Sequence, residues 1–339
     1  MLQTLTKPRT NRIASLKSLR KSIFSISPEE ATFARRGFQC DYAQTQQQLE
    51  RVGYTFLQGY HGAIAYDCSN LLLAQLTTVS PEWRGFAFEG AAMGLALLDG
   101  LTPWKGNRIQ RFLADAGADH TYMIHVGVGW AIARLPWLRD NYLAKLDPLL
   151  SWLAIDGYGF HQGYFYGRDF INGIAIPQGL SGYAGNVFDQ GLGRSIWFVN
   201  GANVTRIPQT LEKFPPVRRA DLWSGIGLAC TYAGGVDSDG IVALKIAAGD
   251  YQPQLAQGAT FAAKTRLRAK NLTAHTQMAC QIFCGISAEM AAEMTDIALK
   301  DLPTTSPATL KGKPGDELPA YEIWRRRIQA QLSSFVVAL

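Results

Sequence analysis

Cysteine and charged side chains are scarce in this chain. Five of its 339 residues are cysteine and 18% are charged. An odd and sparse set of cysteines excludes a disulfide framework of the kind that holds small secreted domains together. Cys280 and Cys284 are close in sequence, but no second pair completes a zinc site. We therefore expect reduced thiols in a cytoplasmic protein whose length allows a core of domain size.

Long apolar runs are also absent. The best of them, residues 122–133, contains His125. It is shorter than the roughly 18 apolar residues that a membrane-spanning helix needs. The N-terminus lacks the apolar stretch and small-residue cleavage site of a secretory signal. The sequence therefore predicts neither a transmembrane segment nor export.

Acidic residues are missing from the first 22 positions, which hold six basic ones. Those six account for the whole net charge of +6, because the remaining 27 basic and 27 acidic side chains balance. A balanced body predicts no nucleic-acid surface across the fold. Residues 12–26 also carry apolar side chains at helical spacing. We expect residues 1–28 to be a basic amphipathic segment that contacts a membrane surface or docks on a partner, or else a frayed terminus.

Familiar nucleotide-binding and catalytic motifs are missing too. The sequence contains no GxxxxGK[ST] phosphate loop and no GxGxxG fingerprint. It contains no HExxH zinc motif and no GxSxG nucleophile elbow either. We therefore expect no nucleotide cofactor, and chemistry must be inferred from less specific patterns.

Glycine, in contrast, is abundant and patterned. A glycine followed four residues later by a small residue recurs at intervals of 31 to 38 residues between Gly59 and Gly201, and less regularly after it. Small residues four apart share a helical face and let helices approach closely. Two helices with their turns need a period in the thirties. The pairs are Gly59–Ala63, Gly90–Gly94, Gly127–Ala131, Gly163–Gly167, Gly225–Ala229 and Gly258–Ala262.

This pattern predicts an all-α fold arranged as an irregular helical-repeat (helix-pair) solenoid or toroid. An ordinary helical bundle that uses glycine at its crossings is the alternative. Residues 29–302 would form the helical-repeat domain. Within it, the glycine-rich residues 171–198 carry no charge before Asp189, which predicts a long structured mid-chain loop.

Prolines cluster near the end of the chain, in residues 303–319. This composition predicts a linker. The residues after it, 320–339, form a predicted C-terminal helix that docks back on the body through one apolar stripe. The stripe consists of Tyr321, Trp324, Ile328, Leu332 and Phe335.

Three ionisable side chains occupy similar places in successive repeats. Glu89, His125 and His161 each precede a repeat glycine by one or two residues. Equivalent positions in a stack of helix pairs point to one surface, so the three could converge as an acid–base set or as metal ligands. Alternatively, each histidine is a satisfied core residue.

Two pairs of aspartates are further candidates. Asp115 and Asp119 share a face if DAGADH is helical, where they could hold Mg²⁺ against a substrate phosphate. Asp237 and Asp239, on the turn GGVDSDG, could bind a metal or keep one carboxyl protonated as an acid. A solvated helix end and a plain turn account for the same residues.

Candidate substrate-binding residues fall into two groups, one polar and one aromatic. Asp189 and Arg194 flank the glycines of DQGLGRS, where backbone N–H groups beside an arginine could hold phosphate or carboxylate. A plain glycine turn is the alternative. An aromatic-lined apolar cavity suits a hydrophobic polyketide or isoprenoid polyene, although core packing uses the same residue types. The aromatic candidates are Trp130, Phe160, Tyr164 and Phe165.

Four strings in the chain resemble the UnbL-like bacterial family. They are RGFAFEGAAMGLALLDG (84–100), HTYMIHVGVGWAIARLPWL (120–138), DGYGFHQGYFYG (156–167) and FDQGLGRSIWF (188–198). The family has no known function, and its members are encoded beside enediyne polyketide synthases. The resemblance covers roughly residues 50–290. It implies secondary metabolism of an unsaturated, apolar product and carries over no catalytic residue with an established role.

The sequence leaves three functions open. The first is an enzyme or catalytic partner that acts on a hydrophobic polyene in natural-product biosynthesis. The second is a terpene-cyclase-like enzyme that uses an aspartate acid or Asp–Mg–diphosphate chemistry, which requires those carboxylates at the wall of a buried cavity. The third is a non-catalytic scaffold or carrier for a synthase, which an exposed apolar concave face would favour.

Overall fold

The computed structural model of the chain describes residues 24–102, 106–304, 306–312 and 317–337. Within these ranges the structure is helical. One isolated β-bridge, between Ser181 and Lys311, is the only strand-like pairing there. The all-α prediction is therefore confirmed. Most of the predicted N-terminal segment, and with it the membrane-contact stretch 12–26 up to position 23, lies outside the described residues.

The α-helices are α1 (Phe33–Arg36), α2 (Ala43–Tyr66), α3 (Asn70–Thr78), α4 (Pro81–Leu101), α5 (Arg108–Ala114), α6 (Thr121–Arg134), α7 (Arg139–Leu143), α8 (Trp152–Phe165), α9 (Tyr183–Val199), α10 (Arg206–Glu212), α11 (Pro216–Ala233), α12 (Ser238–Ala248), α13 (Gln252–Arg268), α14 (Ala274–Cys284), α15 (Ala288–Leu299) and α16 (Ala320–Val337). Each described helix is too short or too polar to cross a membrane.

Seven of the longer helices form a curved row in which each packs against the next. Their order is α2, α4, α6, α8, α9, α11 and α13. A helix with neighbours on both sides and the interior in front is covered around most of its circumference. Residues 123–132 of α6 are accordingly all buried, which explains why its sequence lacks a polar face.

Pairs of glycines determine how the middle helices of this row cross. Residues two apart on a helix point about 200° apart, so one glycine faces the preceding helix and the other faces the following one. A Cβ at Gly191 would overlap the carbonyl oxygen of Asp156 in α8, and a Cβ at Gly193 would overlap that of Leu222 in α11. These helices therefore meet backbone to backbone. The pairs are Gly127–Gly129, Gly157–Gly159, Gly191–Gly193 and Gly225–Gly227.

The row curves far enough for its members to meet across the interior. In α2, Gln48 Nε2 donates to the carbonyl oxygen of Ala233 at 2.8 Å, and Thr45 Oγ1 donates to that of Gly235 at 2.9 Å. These bonds tie the first helix of the row to the end of α11. The row therefore surrounds a central space. Whether the helices repeat as pairs, as a solenoid requires, stays a prediction.

The C-terminal helix lies against α13 and α15. Its predicted stripe is buried at Tyr321, Trp324, Ile328 and Leu332, while the side chain of Phe335 lies outside the described set. The proline-rich stretch before it also contacts the body. Ser151 Oγ accepts a hydrogen bond from the backbone N–H of Ala308 at 2.7 Å. The domain boundaries proposed from the sequence stay predictions.

The prediction of a mid-chain loop over residues 171–198 is wrong for most of its length. A π-helical turn covers Arg168–Asn172 and an irregular stretch follows, but α9 begins at Tyr183. Gly179 and Gly182 do adopt positive φ values, of 86° and 62°, as turn glycines would. The later glycines of this stretch lie inside α9, where Gly191 and Gly193 allow a neighbouring backbone to approach.

Replacing Gly191 with alanine is expected to lower the free energy of unfolding by about 3 kcal/mol or more, since the new methyl group overlaps backbone that cannot move aside. Gly185, in the same helix, has open space where a Cβ would be. Gly185→Ala is the matched control and should leave stability unchanged or raise it by up to about 1 kcal/mol. Urea unfolding measures both. Equal effects of the two substitutions would contradict the backbone contact.

Candidate active site

The central space of the row contains a cavity of about 60 Å³. Its wall is formed by α2, α4, α6, α8, α9 and α11, together with residues that precede α1. Most lining side chains are apolar or aromatic. The titratable side chains at the wall are Glu30, Glu89, Arg134, Tyr164, Arg194 and Tyr232. The cavity is therefore mainly apolar, with a few polar groups at fixed positions.

Glu89 is the buried carboxyl of this cavity. It lies in α4 within an otherwise apolar stretch, and only 3% of its surface is exposed. Trp130 Nε1 donates to Glu89 Oε1 at 3.0 Å, and Arg194 Nη2 lies 4.0 Å from the same oxygen. Burial raises the pKa of Glu89 to about 7, although Arg194 acts to lower it. At neutral pH this carboxyl can therefore both give and take a proton.

Arg194 links Glu89 to a second buried carboxyl. Its Nη1 forms an ion pair with Asp156 Oδ1, and Gln190 Nε2 donates to Asp156 Oδ2 at 2.8 Å. Asp156 is 1% exposed. Asp156 lines a second, smaller cavity of about 30 Å³. Arg194 lines both cavities. Two buried carboxyl groups thus flank one guanidinium.

The predicted aromatic residues line the same cavity around a central indole. The ring of Trp130 lies 4.4 Å from that of Phe56 and 5.3 Å from that of Phe160, measured between centroids. Tyr164 and Phe165 follow at 6.2 and 5.9 Å. All five line the cavity. Their faces are the surface that a bound molecule would meet.

Of the three residues expected to converge, only Glu89 lines the cavity. His161 Nε2 accepts a hydrogen bond from Arg134 Nε at 3.3 Å. Burial, assisted by Arg134, lowers the pKa of His161 to about 3. His125 donates from Nδ1 to the carbonyl oxygen of Thr121 at 2.8 Å, and burial lowers its pKa. Both rings are therefore neutral at pH 7 and packed within the helices.

DQGLGRS is not a turn, because it lies inside α9. Its backbone N–H groups are used by the helix and cannot bind an anion. Arg218 holds Asp189 through two hydrogen bonds, of 2.8 and 2.6 Å. Burial raises the pKa of Asp189 to about 6, against the lowering effect of Arg218. Asp189 is absent from the cavity wall, whereas Arg194 is part of it.

The two predicted aspartate pairs lie on the surface. Asp115 and Asp119 are exposed, and Asp119 faces Lys270 at 3.6 Å. Asp237 and Asp239 are exposed as well. Asp237 caps α12 by accepting a 2.9 Å hydrogen bond from the backbone N–H of residue 240. Within the described ranges, no three His, Cys, Asp or Glu side chains are grouped so that they could hold a metal ion.

Several residues of this site were not predicted from the sequence, and Asp156 and Tyr232 are the most informative of them. Asp156 is the lone charge in an apolar helix, and that isolation was a usable signal of a buried ion pair. Tyr232 lines both cavities, and its hydroxyl has no hydrogen-bond partner among the described residues. Nothing in its local sequence distinguishes it from a core tyrosine.

One face of the cavity is closed by residues 24–38, which we call the cover segment. Ile26, Glu30 and Ala31 of this segment line the cavity. The carbonyl oxygen of Phe24 accepts a hydrogen bond from Tyr60 at 2.9 Å. Phe33 donates its backbone N–H to Glu50 at 2.8 Å. The cover segment is thus attached chiefly to α2.

The cover segment also packs on the aromatic residues of α8. The Arg36 guanidinium lies 5.0 Å from the ring centre of Phe165, and the rings of Phe38 and Tyr164 are 5.0 Å apart. These contacts close the cavity over its aromatic wall.

The chain belongs to a family described as Protein of unknown function (DUF1702), whose family model matches residues 15–332. The chain matches no curated protein and no solved structure. The family assignment agrees with the predicted membership of a family of unknown function and assigns no reaction.

Replacing Glu89 with glutamine is expected to stabilise the protein above neutral pH and to change its stability little near pH 4. The folded chain keeps the Glu89 proton up to about pH 7, whereas the unfolded chain releases it near the ordinary pKa of 4.5. The stability of the wild type therefore falls as pH rises between these values. The gain in the variant should be on the order of 1–3 kcal/mol at about pH 8.

Urea unfolding of the wild type and of Glu89→Gln across this pH range measures the difference. Glu212→Gln is the matched control, because Glu212 is exposed. A stability difference between wild type and Glu89→Gln that is the same at every pH would disprove the raised pKa of Glu89.

Proposed function

We propose that the chain acts on an apolar, unsaturated small molecule in the aromatic cavity, by proton transfer at Glu89. The observation that carries this proposal is the placement of one buried carboxyl, with a pKa of about 7, in a wall of aromatic and aliphatic side chains. A cavity of this composition selects apolar ligands. The buried carboxyl of Glu89 supplies a reactive group at a fixed point.

The chemistry follows from the two states of Glu89. In its acid form, the carboxyl gives its proton to one carbon of a double bond, so that a C–H bond forms and the adjacent carbon becomes cationic. The resulting carboxylate then takes a proton from a neighbouring carbon, and a new double bond forms there. Atoms and charge balance, and Glu89 returns to its acid form. The net result is isomerisation, or cyclisation if a second double bond attacks the cation first.

The aromatic wall supports such a reaction. A positive charge on the substrate would lie among the aromatic rings of the wall, and aromatic faces stabilise cations. The Arg194 guanidinium already lies 5.0 Å from the ring centre of Phe160 in this way. Exclusion of water from the closed cavity would also protect the cation from hydration. Trp130 has a second role, because its hydrogen bond to Glu89 Oε1 orients the carboxyl.

The proposed substrate class rests on the family resemblance and on the residues that line the cavity. The resemblance to the UnbL-like family makes a polyene of an enediyne polyketide cluster the leading candidate, and an isoprenoid polyene has the same apolar, unsaturated character. The lining residues favour such molecules over phosphorylated or sugar-like ones, because they offer few hydrogen-bonding groups. The protein would then serve in secondary metabolism.

The aspartate-based alternatives receive no such support. Terpene-cyclase-like chemistry through Asp115 and Asp119, or through Asp237 and Asp239, requires these carboxylates at a cavity wall. All four are exposed and none lines the cavity. No observation favours a purely structural scaffold either, since the cover segment lies over the concave side of the row.

The size of the cavity implies movement of the cover segment. A volume of about 60 Å³ holds a few water molecules, whereas pockets for drug-sized ligands measure about 300–1,000 Å³. A polyene therefore requires residues 24–38 to shift. These residues form the part of the wall that lies outside the row of helices. Their hydrogen bonds to Glu50, Tyr60, His61 and Tyr164 would have to break or adjust.

Filling the cavity should abolish retention of the ligand. Ala229 of α11 lines the cavity and is buried, so Ala229→Leu places a larger side chain in the space the ligand needs. The wild type, purified from a host that expresses its neighbouring genes, is expected to carry an apolar, conjugated molecule. Mass spectrometry of organic extracts should find that molecule in the wild type and not in Ala229→Leu.

Ala330→Leu is the matched control, because Ala330 is exposed in α16 and its replacement leaves the cavity unchanged. Circular dichroism verifies that both variants are folded. An empty wild type, or an Ala229→Leu variant that retains as much ligand as the wild type, would overturn the proposed site.

A further inference from the structure

Glu89 and the charges that act on it do not sum to zero. Glu89 and Asp156 flank Arg194, and these are the charges that act on Glu89. With both carboxyl groups ionised, this cluster has a net charge of −1. A net charge far from water is unfavourable, so the cluster needs either a proton or a cation to complete it.

The remaining titratable groups at the wall do not supply that charge. Arg134, the cation on α6, is exposed at the edge of the cavity and donates to His161. Glu30 of the cover segment carries the opposite charge at the same cavity. Helix α2 contributes no titratable side chain to the wall, and α8 and α11 contribute the phenols Tyr164 and Tyr232. None of these groups neutralises Glu89. The buried Arg266 of α13 stacks on Tyr232 and donates to the backbone carbonyl oxygens of Glu82 and Tyr232. It is not among the charges that act on Glu89.

The side of Glu89 that faces the cavity is built from aromatic rings. Trp130 contacts the carboxyl through its Nε1 hydrogen bond. The rings of Phe56 and Phe160 pack against the Trp130 ring. Carboxylate and aromatic faces together are the environment that binds quaternary ammonium groups. A cation here would not have to displace Arg194, which stays paired with Asp156.

We propose that the cavity binds a monocation with an apolar body, and that its charged centre lies beside the Glu89 carboxylate, among the aromatic rings of the wall. The inference rests on the proposed function, because a cation formed on the substrate would occupy the same place. It adds the class of stable ligand that the site prefers: an ammonium compound with an apolar chain, rather than a neutral or anionic molecule of the same shape.

Binding of such a cation is linked to the proton on Glu89. A permanent positive charge and the carboxyl proton compete for the same cluster, so the cation binds best when Glu89 is ionised. Its affinity should therefore rise as pH rises through about 7. A neutral ligand of the same shape should bind with little dependence on pH in this range.

The test uses the full chain and two probes of equal shape. Hexyltrimethylammonium is a permanent cation, and 2,2-dimethyloctane has carbon in place of its nitrogen. The dissociation constant of each follows from the rise that the probe causes in the thermal unfolding midpoint. At about pH 8 we expect the cation to bind about tenfold more tightly than its isostere, and at about pH 5.5 we expect the preference to vanish.

Two variants, together with the possible outcomes, distinguish the cation-binding inference from the proposed function. Glu89→Gln should remove the preference for the cation at every pH and retain binding of the isostere, whereas the exposed control Glu212→Gln should behave as the wild type. If the isostere binds and the cation binds no more tightly at about pH 8, the charge inference fails and the apolar site survives. If Glu89→Gln keeps the preference, the inference also fails. If neither probe binds, the proposed function fails with it.

Discussion

Backbone contact between helices is the constraint on which the rest of this structure depends. A helix can meet a neighbour's carbonyl oxygens at this distance only where glycine leaves no Cβ in the way. The ionic cluster is built from the residues next to those glycines. Glu89 precedes Gly90, Asp156 precedes Gly157 and Arg194 follows Gly193. Their side chains therefore start from the most closely packed part of the molecule, and burial and mutual proximity follow together.

This placement explains why the site combines weak acidity with an apolar surface. The same crossings that bury Glu89 also bury Arg194. Burial raises the pKa of the Glu89 carboxyl, the nearby positive charge of Arg194 lowers it, and the effect of burial is the larger. A carboxyl on a loop would have been hydrated and fully ionised at neutral pH. The aromatic rings of the cavity wall pack around Trp130.

The fold class and the aromatic wall could be predicted from composition and glycine spacing, but the arrangement of the helices could not. Gly59 and Gly90 each face one neighbouring helix, α4 and α2 respectively. In α6, α8, α9 and α11, glycines two apart face a neighbour on each side, as Gly191 and Gly193 do. That signal was present in the sequence. The pairing of Glu89 with Arg194 was not, because it depends on the curvature of the row.

A crossing without side chains has no interdigitating ridges to fix its angle. Two helices that touch over a short stretch, as α8 and α9 do at Gly159 and Gly191, can tilt slightly about that stretch while the contact persists. A tilt of about 10° displaces a residue two turns away by about 2 Å. Six such helices surround the cavity, so small tilts shared among them would widen it while every crossing stays intact. The row can thus be rigid at its crossings and still adjust its inner diameter.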